Sequence, residues 1–269
     1  EISKKICTTC KDNNDIQKLN EGYVIRIKLP DEGSISIQDK IQDSVSVSNK
    51  ELDDFIILRK DQTPTYMLSV VVDDNDLGVN FVIRGDDHLN NTFRQYYIYK
   101  YLNWKIPKYA HMPLIHGEDG TKLSKRHGAV DILDFKNKGY LSEAIINNLI
   151  LLGWSPNKEK EIIQINEIIK KFEITKLSKS SSIFSYKKLN FFNNYYLREK
   201  NGFEKFINYC ENHDTLKKIV LTNKEKLKTV FDVHKKELNN FSEILKLKEI
   251  YFNKQFKYNK DEKFNKDFK

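Results

Sequence analysis

The chain has 269 residues, 39% of them hydrophobic, and a formal net charge of +8. That length suffices for one large domain or two to three small ones, and no apolar run approaches the roughly 18 residues of a membrane span. Its three cysteines, Cys7, Cys10 and Cys210, do not make a disulfide framework and point to a reducing, cytoplasmic compartment.

Charge is unevenly spread. Residues 1–155 carry 20 Lys+Arg against 22 Asp+Glu, whereas residues 156–269 carry 26 against 16. Such asymmetry is expected when one region holds a small-molecule site and another lies along a phosphate backbone; Lys-rich compositional drift yields the same counts. The sequence opens on Glu1 and closes on the polar run KYNKDEKFNKDFK, so it is expected to be part of a longer protein. No signal-peptide pattern occurs at its visible start.

Taken in chain order, YVIRIKL (23–29) alternates like a strand, and SISIQDKIQDSVSV (34–47) alternates like a small hairpin. DDFIILR (53–59) is a more apolar strand. Thr63 followed by Pro64 signals a helix start, with Pro at the first helical position, and the helix would run to near Gly78. Its Val triplet leaves helix and strand both open by periodicity. VNFVIRG (79–85) reads as a buried parallel strand ended by Gly85. NTFRQYYIYKYLN (91–103) reads as a helix and KYAHMPLI (108–115) as the next strand. From residue 128 onward the pattern is helical, through AVDILDFKNKG, SEAIINNLILLG and INEIIKKF.

Two loops follow strands at the carboxyl ends of a parallel α/β arrangement, where ligands bind. One is RGDDH (84–88); the other is HGEDGTKLSKRHG (116–128), with Lys122, Lys125, Arg126 and His127 crowded together. A glycine-flanked lysine pair on a mobile loop suits a phosphate whose charge grows during reaction; a solvated basic loop is the bland alternative. The spacing is not that of a Walker loop. Around them, Arg84 reads either as a carboxylate ligand or as an ion-pair partner of Asp86 or Asp87. Tyr66 reads as core, and GDDH as a helix-capping cluster. His111 and His116 are expected to be packing or loop residues. Cys7 and Cys10 make a single CxxC without a nearby second pair, so zinc is not expected.

KLSKR resembles the second signature loop of class I aminoacyl-tRNA synthetases, usually Lys-Met-Ser-Lys-Ser. With LDDFIILRKDQTPTY, VVVDDNDLGVNFVIRGDDHLNNTFRQ, YAHMPLIHGEDGTKLSKRHGAVDILDF and GYLSEAIINNLILLGWSP in order, residues 20–200 are similar to bacterial-type glutamyl-tRNA synthetases. The resemblance implies an α/β fold: the second half of a class I Rossmann-type nucleotide-binding fold with a small β insertion, then an all-α region. Residues 1–63 would be the rest of the acceptor-end-binding insertion and 64–115 the second half of the Rossmann fold. Residues 116–197 would hold the KLSKR loop and a stem-contact region, and 198–269 the start of an anticodon-binding domain.

The implied activity is glutamate–tRNA ligation with ATP and Mg²⁺, acting on tRNA(Glu) and possibly tRNA(Gln), by a cytoplasmic monomer. By the same resemblance, Lys125 stabilises the ATP phosphates and Lys122 supports the loop, with Ser124 and the backbone around Gly120 at the phosphate. Tyr66 and Arg84 face glutamate; Asp87 and His88, with Asp86, meet the adenosine end of ATP. The family's first signature, of His-Ile-Gly-His type, is absent, and its place would precede residue 1. The fragment alone is therefore expected to be inactive, serving as a tRNA-binding module. Rival readings are a glutaminyl-tRNA synthetase, whose neutral amide would leave Arg84 without a charge to meet, and a short paralogue that glutamylates a modified base, against which the basic helices after residue 198 argue.

Overall fold

A computed structural model describes residues 23–124, 126, 131–156 and 161–252. Two compact units divide the chain, one ending at Leu114 and taking in Glu173–Ser182, the other formed by Ile115–Phe172 and the residues from Ile183 onward.

In the first unit, alternation does produce strands, but not over the full lengths expected. β1 (Ile25–Arg26) pairs antiparallel with β4 (Ile56–Leu58), and the register shifts between Ile25 and Arg26. The rest of the 23–29 stretch stays extended and buries Ile27 and Leu29. It leaves the ladder because the Asp54 carboxylate, rather than a backbone carbonyl, accepts from the Leu29 N–H at 2.8 Å. β2 (Ser34–Asp39) and β3 (Asp43–Ser48) form the expected hairpin, with Ile35 opposite Val47 and Ile37 opposite Val45. β2 buries every second residue, as a half-covered strand requires.

That hairpin joins a parallel pair, β5 (Phe81–Gly85) and β6 (Lys108–Met112), giving the order β3-β2-β6-β5. β5 is parallel as expected but only half-buried, because it is the edge of this sheet. Helix α1 (Tyr66–Asp76) settles the ambiguity of the Val triplet in favour of helix, with Val71 buried against the sheet's core residues. Its N-cap is Thr65, not Thr63. Pro64 lies before the helix and bridges Leu58, while the Thr63 hydroxyl donates to Asp61. α2 (Leu89–Tyr101) buries Phe93, Tyr97 and Ile98 in the same core.

The described residues of the second unit are mainly helical; β7 (Ile115–His116) pairs with β8 (Ser182–Ile183) in a short sheet. Its helices are α3 (Ile132–Asn137), α4 (Ser142–Gly153), α5 (Ile165–Lys171), α6 (Tyr186–Leu197), α7 (Gly202–Glu211), α8 (Asp214–His234) and α9 (Ile244–Phe252). α8 kinks at Asn223. Buried asparagines tie the helices to loops. Asn193 accepts from the Leu141 N–H and donates to the Asn239 carbonyl, and Asn147 accepts from the Ile163 N–H and the Tyr196 hydroxyl. Phe206, Phe231 and Phe241 centre the core, the first two stacked with centroids 5.1 Å apart. Cys210 is part of it, and burial pushes its thiol up to about 12, which makes it an inert packing residue.

α3 ends through Gly139 at φ +76°, and a Cβ there would lie 2.5 Å from Phe241 Cβ and 3.0 Å from Phe241 N. A left-handed alanine costs about 1–2 kcal/mol, and overpacking about 1–3 kcal/mol more. Gly139→Ala is therefore expected to lower the unfolding free energy by about 3 kcal/mol in urea denaturation. A loss below about 0.5 kcal/mol would show that the turn relaxes freely.

Candidate active site

Arg84 stands at the carboxyl end of β5, half-buried. It does not ion-pair with Asp86 or Asp87. Its contacts are neutral acceptors: Nε donates to His111 Nε2 at 3.1 Å, and Nη2 donates to Thr92 Oγ1 at 2.7 Å and Gln95 Oε1 at 2.9 Å, with the His88 carbonyl at 3.3 Å. Among the described residues none accepts from Nη1. The charge is thus fixed in place but not neutralised by a contact, and it helps to lower the Asp74 carboxyl, which burial raises.

His111, read from the sequence as a packing or loop residue, is fully buried and sits at the centre of this network. β5 and β6 pair Arg84 directly with His111, so their side chains leave the same face. Arg84 Nε is always a donor, so His111 Nε2 is an acceptor and the ring proton is on Nδ1. That proton is donated to Asp39 Oδ2 at 2.6 Å. Asp39 in turn accepts from the backbone N–H groups of Ile41, Gln42 and His111. Burial raises the Asp39 carboxyl, but these N–H donors and the imidazole outweigh it and hold the group below its ordinary value. For His111, burial lowers the affinity for a proton and prevails over the pull of Asp39, so the ring stays neutral below its ordinary range.

The sequence held one sign of this. Asp39 falls in the buried phase of β2, in step with Ile35 and Ile37, where an acid is out of place unless it is bonded. Its partner lies 72 residues away, which no local pattern reveals.

Tyr66 and His88 are brought together, their ring centroids 6.2 Å apart. Tyr66 is 49% exposed, so it is not the core residue that its type alone suggested. His88 closes a 3-10 turn (Asp86–His88) that runs into α2, and its Nδ1 lies 3.1 Å from the Asn91 amide. Gly85, at the N-cap, carries no side chain to cap with, while Asp86 and Asp87 occupy the first turn, where the helix dipole favours acids. A Cβ on Gly85 would come 2.6 Å from the Asp87 carboxylate, so only glycine leaves room for that side chain where it is.

In the second unit the basic loop is partly a hairpin. The Gly117 N–H donates to Thr121 and the Gly120 N–H to Gly117, so the Gly120 N–H is already engaged. Gly120 takes φ +76°. Lys122 bridges His116, and the Leu123 N–H donates to Ile115 at 2.9 Å. Leu123 packs against the unit's core, which anchors the loop just ahead of Ser124. Asp119 takes both the N–H and hydroxyl of Thr121, and Arg126 binds the Thr121 hydroxyl and lies 3.8 Å from Asp119. Residues 115–123 are therefore held by backbone bonds rather than freely mobile. Lys122 is exposed and Ser124 half-buried; Lys125, His127, Cys7 and Cys10 lie outside the described residues.

A strand-end cation thus stands by a tyrosine–histidine pair in the first unit, and a hairpin-anchored lysine loop follows it in the chain, the two features expected of the class I synthetase type. Residues 2–191 match the family described as tRNA synthetases class I (E and Q), catalytic domain, and the chain belongs to that family. It is 54% identical over 178 residues to glutamate–tRNA ligase 2 of Zymomonas mobilis, covering 66% of this chain and 37% of that one. It is 41% identical over 250 residues to the glutamate–tRNA ligase of Francisella tularensis subsp. holarctica, covering 89% and 53%. A crystal structure of a glutamate tRNA ligase from Elizabethkingia meningosepticum, in complex with its amino acid, superimposes with TM-score 0.73 at 29% identity, covering 89% and 51%. These likenesses establish a Rossmann-like class I synthetase fold. The chain spans about half or less of the length of these relatives.

The neutral His111 has a consequence for stability. An unfolded histidine takes a proton below about pH 6.5 that the native ring refuses, so its contribution is complete above that pH and lost as pH falls through it. Asp39 acts lower, its contribution being lost only as pH falls below the ordinary carboxylate range toward its depressed folded value. Thermal or urea unfolding between pH 7.5 and 5.5 should show a fall in stability, at most about 1.4 kcal/mol per pH unit from this group, that is missing in His111→Gln. Parallel curves for the two proteins would mean that native His111 is protonated.

Proposed function

We propose that the protein carrying this chain is a glutamate–tRNA ligase. The observation that carries the reading is Arg84, a strand-end cation held by neutral acceptors with Nη1 left for an outside acceptor. A side-chain carboxylate meets that charge, whereas the neutral amide of glutamine does not, which favours glutamate over glutamine within a family that serves both.

In this reading Arg84 and Tyr66 hold the glutamate side chain, and Asp87 and His88 meet the adenosine end of ATP. The α-carboxylate of glutamate attacks the α-phosphorus of ATP and pyrophosphate leaves, giving glutamyl-adenylate. The 3′-terminal hydroxyl of the tRNA then attacks the carbonyl and AMP leaves. Lys125, Lys122 and Ser124 act on the phosphates, with Lys125 meeting the charge that grows on them. Among the described residues no cluster of three side chains is suited to hold a metal; Mg²⁺ is proposed only as the companion of the ATP phosphates. The basic helices of the second unit are proposed to lie along tRNA(Glu), or also tRNA(Gln). We propose a division after residues 63, 115 and 197 into parts that serve the acceptor end, catalysis, stem contact and anticodon reading. A monomer working in the cytoplasm is proposed; among the described residues no helix is long and apolar enough to cross a membrane.

Steady-state aminoacylation by the complete enzyme tests the amino-acid site. Arg84→Gln should raise KM for glutamate about 100-fold, equivalent to about 3 kcal/mol, with KM for ATP changed less than about threefold. An unchanged glutamate KM would sink the assignment.

The phosphate loop has a different signature. Lys125→Ala should slow adenylate formation about 10²-fold or more while ground-state ATP affinity hardly moves, because its contact strengthens in the transition state. Lys122→Ala should be milder. Pre-steady-state kinetics at saturating ATP separates rate from affinity; a Lys125 variant rescued by more ATP would make the loop a binding patch only.

A further inference from the structure

We propose that the buried Asp39–His111 pair is the positioning device of the Arg84 guanidinium, fixing which edge it turns outward and so setting the affinity for the amino-acid carboxylate. The proposal rests on the reading of Arg84 as the glutamate ligand. Three of the five Arg84 N–H groups are committed to His111, Thr92 and Gln95, and all three acceptors are neutral. Neutral acceptors fix direction without cancelling charge. A carboxylate in any of these places would neutralise the cation that the substrate needs.

His111 is the member of the three whose own orientation is fixed from behind. Its Nδ1–H is spent on Asp39 at 2.6 Å, and its ring stacks on Tyr109 with centroids 5.9 Å apart and 15° between the planes. Arg84 lies over the same Tyr109 ring at 5.7 Å. Asp39 cannot swing away, because its other bonds close the β2–β3 turn at Ile41 and Gln42 and hold the His111 N–H. If the ring carried its proton on Nε2, two donors would face each other across 3.1 Å and Arg84 Nε would lose its acceptor. The charged and titratable groups around the ring are Asp39 on β2, Arg84 on β5, Asp86 in the following turn and Tyr109 on its own strand.

Gln95 strengthens the case. Its Oε1 faces Arg84, and its buried Nε2 has no partner among the described residues. An orphan amide donor lowers stability, so this arrangement is explained by what it does for Arg84 rather than by packing.

The test compares His111→Phe with His111→Gln in the complete enzyme. Phenylalanine keeps an aromatic ring on Tyr109 but accepts nothing; glutamine loses the ring but offers Oε1 to the Arg84 Nε–H. If His111 positions Arg84, Phe raises KM for glutamate about 10- to 100-fold, Gln restores most of the affinity, and KM for ATP stays within about threefold in both. A merely structural histidine gives the opposite order, or equal losses in both substrates, and overturns the proposal. ¹⁵N NMR of the unsubstituted protein at pH 7 is independent of activity and of the folding of either variant. It should show His111 protonated at Nδ1 and bare at Nε2, with a slowly exchanging Arg84 Nε–H; a proton on Nε2 overturns the proposal. Should Arg84→Gln leave glutamate KM unchanged while the NMR result holds, the glutamate reading fails and the positioning of Arg84 stands.

Discussion

The first unit depends on one buried contact, between the carboxylate of Asp39 and the imidazole of His111. Both side chains are fully buried, and an isolated ion at such a place would cost several kcal/mol. Asp39 is tolerated because N–H donors surround it: two from its own turn, one from the neighbouring strand and one from the ring. That single acid therefore closes the β2–β3 turn and, with the Lys40 N–H donating to the Tyr109 carbonyl, fastens the hairpin to β6. An antiparallel hairpin and a parallel pair have different hydrogen-bond geometries. Here the two share only one residue pair, Asp39 with Tyr109, so the side-chain bonds supply what the ladder does not.

The position of Arg84 follows from the same contact. β5 pairs in register with β6, and the residue opposite Arg84 is His111. A neutral imidazole can be an acceptor toward the arginine only if its proton is held elsewhere, and Asp39 holds it. Helix α2 contributes Thr92 and Gln95 three residues apart, on one face of the helix. Fold and proposed site thus share their polar core, and a substitution there is expected to disturb both.

Much of this was legible in the sequence, for reasons that differ from element to element. The hairpin was visible because its faces differ in burial, giving strict alternation in SISIQD. The parallel strand ended by Gly85 and the helix after it were visible from an apolar run and its punctuation. Residues 23–29 were legible only as extended chain, since the carboxylate that replaces their ladder partner, Asp54, belongs to a distant segment. The helix start was read at Thr63 but lies at Thr65, because the Thr63 hydroxyl is taken by Asp61, a local competition between turn and cap. Among the site residues, Tyr66, Arg84 and His88 came from a family likeness. Asp39 showed only as an acid in the buried phase of β2, and its link to His111, Thr92 and Gln95 was out of reach, since it lies in contacts that span β2, β5, β6 and α2.

The crowded cations of EDGTKLSKRHGA take a different physical form from Arg84. Arg84 is fixed by side chains that are themselves fixed, which suits a ligand group of constant charge and constant position. The loop is fixed through its backbone instead, by the Gly117, Gly120 and Leu123 bonds and by Leu123 in the core, and Lys122 lies exposed on that base. Arg126 is drawn off to Thr121 and Asp119, which lowers the mutual repulsion of the cluster. If the loop meets the ATP phosphates as proposed, a base already tied by its backbone avoids the entropy of ordering a loop at the moment the charge develops.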